Sequence, residues 1–472
     1  MIQFRSLRTL NALARMVLCV AVCAPTLPAQ LPAISEPNHE ELLNGLKILM
    51  WQLNGAQDVT LKLRIHSGAA FDLVGKSGEM ALLGDVLFPD PATIEFFTEM
   101  GGKLDVNTDH DSMTITLQGR ANELERMVEI LRNALLTPQI TPDIVARQRD
   151  RRIKILKDTA ISPTIVADRA IAVRLFGDFP YGRPASGTAE DLGRVERADL
   201  LQARDRFLNP NNATLAIIGG IDRNRTMRAL RQLLGSWRKS EQIVPSTFRQ
   251  PERPDPRTLI INGPADQTAE LRLATRGVAK ADSDYNAVEA LALVARQRWQ
   301  ELAPELAGKQ FYVRAEAHLL PGQFVFGASI DSKSTAAVIG SAKKVIESLE
   351  KDEPTASEVG QARNELVVEA RNRLGKPETM SDFWLDAETF RLASVNDRIQ
   401  SLKMVSAHDV RRVALRLFKD QPVASIVLGN AEQLKGQLVG RIDTEVMGEI
   451  PGPGTLNPAK SPAPKPITVS KP

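Results

Sequence analysis

Apolar residues recur along this chain in two rhythms, and the rhythms alternate in the same order twice. From Asn44, alternating and short apolar runs predict strands over 46–53 and 59–65, joined by a polar turn at Asn54-Gly55. The spacing then lengthens to that of a helix over 78–88 and 91–100, and Gly101-Gly102 ends the second of these. Alternation returns over 103–108 and 112–117. Helical spacing follows over 123–136, 142–157 and 164–175, with Thr141 as a capping residue and Pro142 in the first turn of the middle one. A helix over 197–207, a buried strand over 213–218 and a helix over 222–234 close the first round.

A polar, proline-bearing stretch follows Lys239, and the linker is set at 241–257. The plan then repeats. Strands are expected over 258–261 and 269–275, a helix over 284–301, and paired strands over 311–317 and 323–330. Helices follow over 336–349, 356–373, 380–392 and 407–417, then a strand over 424–428 and a helix over 431–438. The two closing strings agree best: Ala213-Thr214-Leu215-Ala216-Ile217-Ile218-Gly219-Gly220 in one half, Ala424-Ser425-Ile426-Val427-Leu428-Gly429-Asn430 in the other. A repeat of about 200 residues means duplicated domains, since solenoid repeats run to only about 20–50. The domains are drawn at 38–240 and 258–445, and a Pro- and Lys-rich tail over 446–472 is expected to be disordered.

Composition refines this picture at the ends. The chain has 472 residues, 43% hydrophobic and 25% charged, which suits a globular protein of two or three domains. Aromatics are only 5%, so the core must rest on Leu, Val, Ile and Ala. Arg5, Arg8 and Arg15 precede or flank a mostly apolar stretch over 16–27, and Leu27-Pro28-Ala29 offers a cleavage site; 1–29 is read as a secretory signal peptide, with an uncleaved anchor as the alternative. Both cysteines, Cys19 and Cys23, fall inside it, so a mature chain carries no disulfide and no thiolate ligand. The formal charge of +3 equals those three arginines, which leaves nothing to suggest a nucleic-acid-binding surface.

Several short strings, in order, resemble the pitrilysin/insulinase zinc peptidases, which include the mitochondrial processing peptidase. They are Asn44-Gly45-Leu46, Gly68, the helix from Gly78 to Phe88, Gly101-Gly102, Gly177-Asp178-Phe179-Pro180-Tyr181-Gly182 with Gly187-Thr188, and Pro210-Asn211-Asn212-Ala213-Thr214-Leu215. The likeness runs from about Glu40 to Leu438. It implies an α+β fold of two homologous domains of about 200 residues, each a mainly antiparallel sheet packed by helices, in a clamshell-type arrangement.

The same resemblance exposes what is missing. Active members carry H-x-x-E-H on the signature helix: two histidines on one face hold zinc, the glutamate activates water, and a later glutamate completes the ligands. Here the first histidine position is Ala81, the general-base position Gly84 and the second histidine position Asp85. No glutamate occurs between Glu129 and Glu190, and the later helix instead carries a basic run from Arg147 to Arg152, which could either pair with Asp85 or form a solvated face. The five histidines, His39, His66, His110, His318 and His408, are scattered and never three or four apart. Asp105 to Asp111 mimics the start of a calcium loop but lacks its glycine and closing glutamate, so it is read as a polar turn. No G-x-S-x-G elbow, phosphate loop or dinucleotide fingerprint appears.

No catalytic and no metal-ligating residue is therefore assigned. The resemblance places Phe311 or Tyr312 near a substrate-holding tyrosine of the second domain, although the companion arginine position falls on Ala303 or Pro304; Phe311 and Tyr312 are kept as candidate substrate contacts. The expected function is a non-catalytic subunit of an exported heteromeric zinc peptidase, in a bacterial periplasm or secreted, with zinc only in a homologous partner chain and peptide as substrate. A stand-alone peptide-binding or chaperone-like module is the alternative, and an active peptidase with an unusual site is the third reading.

Overall fold

The computed structural model describes residues 36–159, 161–241, 248, 251–263, 267–392, 395 and 397–449. The leader at 1–29, the linker residues 242–247, 249 and 250, and the tail beyond 449 lie outside the described residues. The first half contains β1 (Asn38–Glu41), β2 (Lys47–Gln52), β3 (Asp58–Ile65), α1 (Glu79–Leu87), α2 (Pro91–Glu99), β4 (Lys103–Thr108), β5 (Met113–Arg120), α3 (Leu124–Leu136), α4 (Pro142–Thr159), α5 (Pro163–Phe176), α6 (Ala189–Gly193), α7 (Arg197–Phe207), β6 (Ala213–Gly219) and α8 (Arg223–Leu234). The second contains β7 (Thr258–Asn262), β8 (Thr268–Arg276), α9 (Tyr285–Leu302), β9 (Gln310–Glu316), β10 (Gln323–Asp331), α10 (Thr335–Lys351), α11 (Ala356–Leu374), α12 (Pro377–Phe390), α13 (Asp397–Met404), α14 (Ala407–Phe418), β11 (Ala424–Gly429), α15 (Ala431–Leu438) and β12 (Thr444–Glu449).

The strands build two six-stranded sheets of matching order, β1-β2-β6-β3-β5-β4 and β12-β7-β11-β8-β10-β9. In the first only β2–β6 is parallel; in the second β7–β11 and β12–β7 are parallel. This is the duplicated α+β plan expected from the repeat. One boundary moves: β12 pairs with β7 as far as Glu449, so the second domain extends past 445 and the tail cannot begin at 446. The hydrophobic signal of β12 is too weak to announce a strand, because four of the six residues Thr444-Glu445-Val446-Met447-Gly448-Glu449 are polar or glycine.

Each sheet carries its own helices on one face, over a core of aliphatic residues such as Leu61, Leu63, Leu215, Leu131 and Leu230 in the first half and Leu271, Leu273, Leu291, Val345 and Val413 in the second. The other face is covered by a helix borrowed from the opposite half. Helix α5 packs on β8 and β11, with Ala167, Ala170 and Ile171 against Ile426, Leu428 and Ala274; α12 packs on β6 and β3. This exchange explains why β6 and β11 are buried at every residue, the sign of strands covered on both faces.

Burying the second face has a polar cost, and aspartates on the exchanged helices offset it. Lys62 and Arg64 on β3 meet Asp382 at 2.8 Å and Asp386 at 2.5 Å on α12. Arg272 on β8, 1% exposed, is held by Asp168 on α5 at 2.6 Å and by its neighbour Glu270 at 3.0 Å. His66 continues the β3 row. The Thr389 hydroxyl already donates to Leu385 O at 2.8 Å, so it accepts from His66 Nδ1 at 3.0 Å. That leaves Nε2 to accept from Thr214 Oγ1 at 3.0 Å, the arrangement of a neutral imidazole. Burial, with Arg64 and Lys47 nearby, pushes its pKa down to about 3.

Candidate functional site

Helix α1 is fixed at its start by neighbours that leave little room. Gly78 has a φ of 96°, and a Cβ there would stand 2.8 Å from Gly187 Cα, so this close approach of two loops requires glycine. The Asp72 carboxylate accepts from Gly78 N at 2.7 Å and Met80 N at 2.9 Å, occupying the free N–H groups of the first turn.

Ala81, Gly84 and Asp85 lie together, three and four residues apart, toward α4 and β4. Asp85 is bound by a guanidinium. Arg152 on α4 donates from Nε to Oδ2 at 2.5 Å and from Nη2 to Oδ1 at 2.8 Å, and Nη2 also reaches Ala81 O at 3.2 Å. This two-pronged pair is the strong form of a charge-assisted contact. Above Gly84 the space belongs to β4: a Cβ would fall 2.8 Å from Val106 Cγ1 and 3.6 Å from Met113 Cε. The basic run thus divides. Arg152 pairs with Asp85, Arg149 is half-buried and reaches Val195 O at 3.5 Å, and Arg147 and Arg151 face solvent.

These residues do not fit a zinc ion. The lone carboxylate is already neutralised by a fixed positive charge, and the residues at 81, 84 and 152 offer no side-chain ligand. Among the described residues no three His, Cys, Asp or Glu side chains are arranged to hold a metal ion.

Phe311 and Tyr312, adjacent on β9, point to opposite sides. Phe311 turns into the second core, its ring 5.9 Å from that of Trp299. Tyr312 turns toward α5, lies over Gly327, donates to Asp168 Oδ1 at 3.0 Å and stacks beneath Arg314. Burial pushes its phenol up to about 12. Neither residue approaches Asp85 closely enough to share a hydrogen bond.

The fold also makes a cluster that sequence spacing does not reveal. The turn after β4 is held by Asp109, which accepts from Asp111 N and Ser112 N, as a polar turn should. Asp111, buried, then reaches the other half: His318 Nδ1 donates to its Oδ2 at 2.8 Å, and Leu319 N and Tyr181 Oη donate to its Oδ1, each at 3.1 Å. His110 donates from Nε2 to Arg183 O at 2.8 Å, and its ring lies 5.2 Å from that of His318. Burial lowers the pKa of His110. For His318 burial acts the same way, but Asp111 outweighs it and the pKa is raised. Two histidines 208 positions apart in sequence carry no motif; only the pairing of the two halves joins them.

Comparison with known proteins agrees with this geometry. Residues 48–189 match the profile described as insulinase (peptidase family M16), and residues 194–366 match the one described as peptidase M16 inactive domain. An uncharacterized zinc protease of Mycobacterium leprae is 24% identical over 221 residues, 46% of each chain. Human cytochrome b-c1 complex subunit 1, mitochondrial, is 20% identical over 229 residues, 47% of this chain and 48% of that one. The chain thus spans about half the length of the curated relatives it matches. A protease from Helicobacter pylori superposes with a TM-score of 0.72 at 17% identity, over 83% of this chain and 99% of that one. The periplasmic protease PqqL of Escherichia coli gives 0.72 at 16% identity, over 87% of this chain and 49% of its own. With two family profiles in tandem and the whole fold shared, the chain belongs to the insulinase family of peptidases, family M16.

Proposed function

We propose that the protein is a non-catalytic subunit of an exported zinc peptidase, which shapes the peptide-binding chamber beside a zinc-bearing homologous chain. The observation that carries this reading is the Asp85–Arg152 pair, which sets a fixed cation against the helix face where active relatives hold their metal. Beside it, β4 pairs among the described residues on one side only, with β5, and its free edge runs past Gly84. Such an edge can take up an extended peptide by strand addition without any chemistry. One relative's name, a subunit of the cytochrome b-c1 complex, is in keeping with a role inside an assembly. Export rests on the leader-like segment at 1–29, and a periplasmic neighbour among the similar structures is compatible with it. No helix among the described residues is long and apolar enough to cross a membrane.

The test is to purify the chain from Gln30 onward, alone and together with a homologous chain that carries an intact H-x-x-E-H, and to assay a broad peptide library with and without a zinc chelator. The chain alone should be silent, and chelator-sensitive cleavage should appear only with the partner. Cleavage by the purified chain alone would overturn the reading. Peptide binding without any partner-dependent activity would favour the stand-alone binding module, for which the free edge of β4 also speaks.

A further inference from the structure

At the seam between the two halves, apart from α1, lies a half-open cavity of about 240 Å3. Its walls are α5 and the loop from Tyr181 to Ser186 on one side, and the β9–β10 hairpin on the other. We propose that this cavity binds a small monocarboxylate, held by Arg169.

The argument starts from charge. Three arginines line the cavity, Arg169, Arg183 and Arg314, against two carboxylates, Asp168 and Glu316. Both carboxylates are committed: Asp168 to Arg272 and Tyr312, and Glu316 to Arg314 at 2.5 Å. His318 is matched by Asp111. Arg183 donates to Asp72 O and Ala70 O and has the carboxylates of Asp72, Asp191 and Asp178 around it, so the cation of the lining that no carboxylate answers is Arg169. This half-buried guanidinium makes no hydrogen bond and no ion pair among the described residues. Burial alone acts on its pKa, downward, and no carboxylate opposes it. A half-buried arginine with no partner in the protein is answered by water alone, and an oxyanion that meets its planar fork replaces that water with a charge-assisted pair.

The same lining selects the ligand. A dianion would set its second charge among Asp168 and Glu316, whereas a single carboxylate balances Arg169. The volume lies below the range of about 300–1,000 Å3 typical of drug-sized ligands, so the site suits one amino-acid-sized group. The carboxylate can belong to a free small acid or to the end of a peptide; only the latter source rests on the peptide-binding function proposed above.

Isothermal titration of the chain with N-acetylalanine, its C-terminal amide and inorganic phosphate tests this without partner or zinc. The acid should bind at millimolar concentration or below, with the amide and phosphate weaker by tenfold or more. Arg169→Gln should lose at least tenfold in affinity for the acid, and Arg169→Lys should fall between. Because Arg169 bonds to nothing, Arg169→Gln should melt no lower than the parent, which separates a lost ligand from a lost fold. N-acetyl-trialanine binding more tightly than N-acetylalanine would assign a peptide end, and equal affinity a free acid. No binding of the acid, equal binding of its amide, tighter binding of phosphate, or full affinity in a well-folded Arg169→Gln would each overturn the proposal. None of these outcomes touches the subunit reading, which is judged by partner-dependent cleavage.

Discussion

If Arg152 occupies the old metal position as a structural partner of Asp85, the two side chains must be energetically coupled. The side chains are 27% and 20% exposed, so the pair stands between two limits. Exposed pairs contribute about 0–1 kcal/mol, whereas removing one partner of a buried pair costs about 3–5 kcal/mol. Two-pronged geometry and the added bond to Ala81 O argue for the middle of that interval. Asp85→Ala and Arg152→Ala should each destabilise by about 2 kcal/mol, and the double variant by little more than either, a coupling of about 1–2 kcal/mol. Urea unfolding of the four proteins gives the cycle directly, provided the m-values agree. The same samples answer a chemical question. Arg152→Ala releases Asp85, but one carboxylate beside Ala81 and Gly84 is far short of the three protein ligands a catalytic zinc takes. Zinc content after dialysis should therefore stay at background in all four. A coupling indistinguishable from zero would refute the idea that Arg152 was recruited to Asp85. Stoichiometric zinc in Arg152→Ala would refute the claim that the site is closed to metal.

Three further outcomes follow from the buried faces. His66 is neutral when folded, with its pKa at about 3, and takes up a proton near pH 6.5 when unfolded, so its contribution is present above pH 6.5 and lost as the pH falls toward 3. Unfolding free energy should drop by up to about 5 kcal/mol over that window, and His66→Gln should flatten the slope in urea titrations at successive pH values. Asp168→Ala strips Arg272, 1% exposed, of its main partner and should cost about 3 kcal/mol, read as a lowered urea midpoint, while Asp168→Asn should cost less. Gly327→Ala would place a Cβ 2.2 Å from Tyr312 Cζ, so the ring must leave its seat; a loss of about 1–3 kcal/mol in thermal or urea unfolding is expected.

What the sequence shows of this protein follows from how local each signal is. Strand and helix periods are local, so the duplicated plan, the closing strands and the signature helix could be read from spacing, with boundaries close to those observed. The absence of H-x-x-E-H is legible too, because Ala81, Gly84 and Asp85 are compared with a motif position by position. Sequence alone leaves the basic run open between a pair with Asp85 and a solvated face, and only the crossing of α1 with α4 selects Arg152 from four arginines of which Arg147 and Arg151 do face water.

Other features depend on contacts between the halves, and there pattern reading has nothing to work with. Lys62 and Arg64 alternate with leucines on β3 as any strand with one wet face would, yet that face is covered by α12. The polarity was correctly present and its meaning was not, because a charge answered by an aspartate 320 residues away looks in sequence like a charge answered by water. The same holds for Arg272 with Asp168 and for His318 with Asp111. These pairs have a common logic. Each borrowed helix or loop brings an acid to a basic strand of the other half, or a base to its acid. The halves are thereby matched to one another by charge as well as by shape, and neither could be replaced by a slipped copy of itself without leaving a buried ion alone. A fold held this way keeps its form when its catalytic residues are lost, since none of Ala81, Gly84 or Asp85 takes part in joining the halves. On the subunit reading proposed above, that separation lets the signature helix give up a metal while the rest of the molecule, including the seam and its cavity, stays intact.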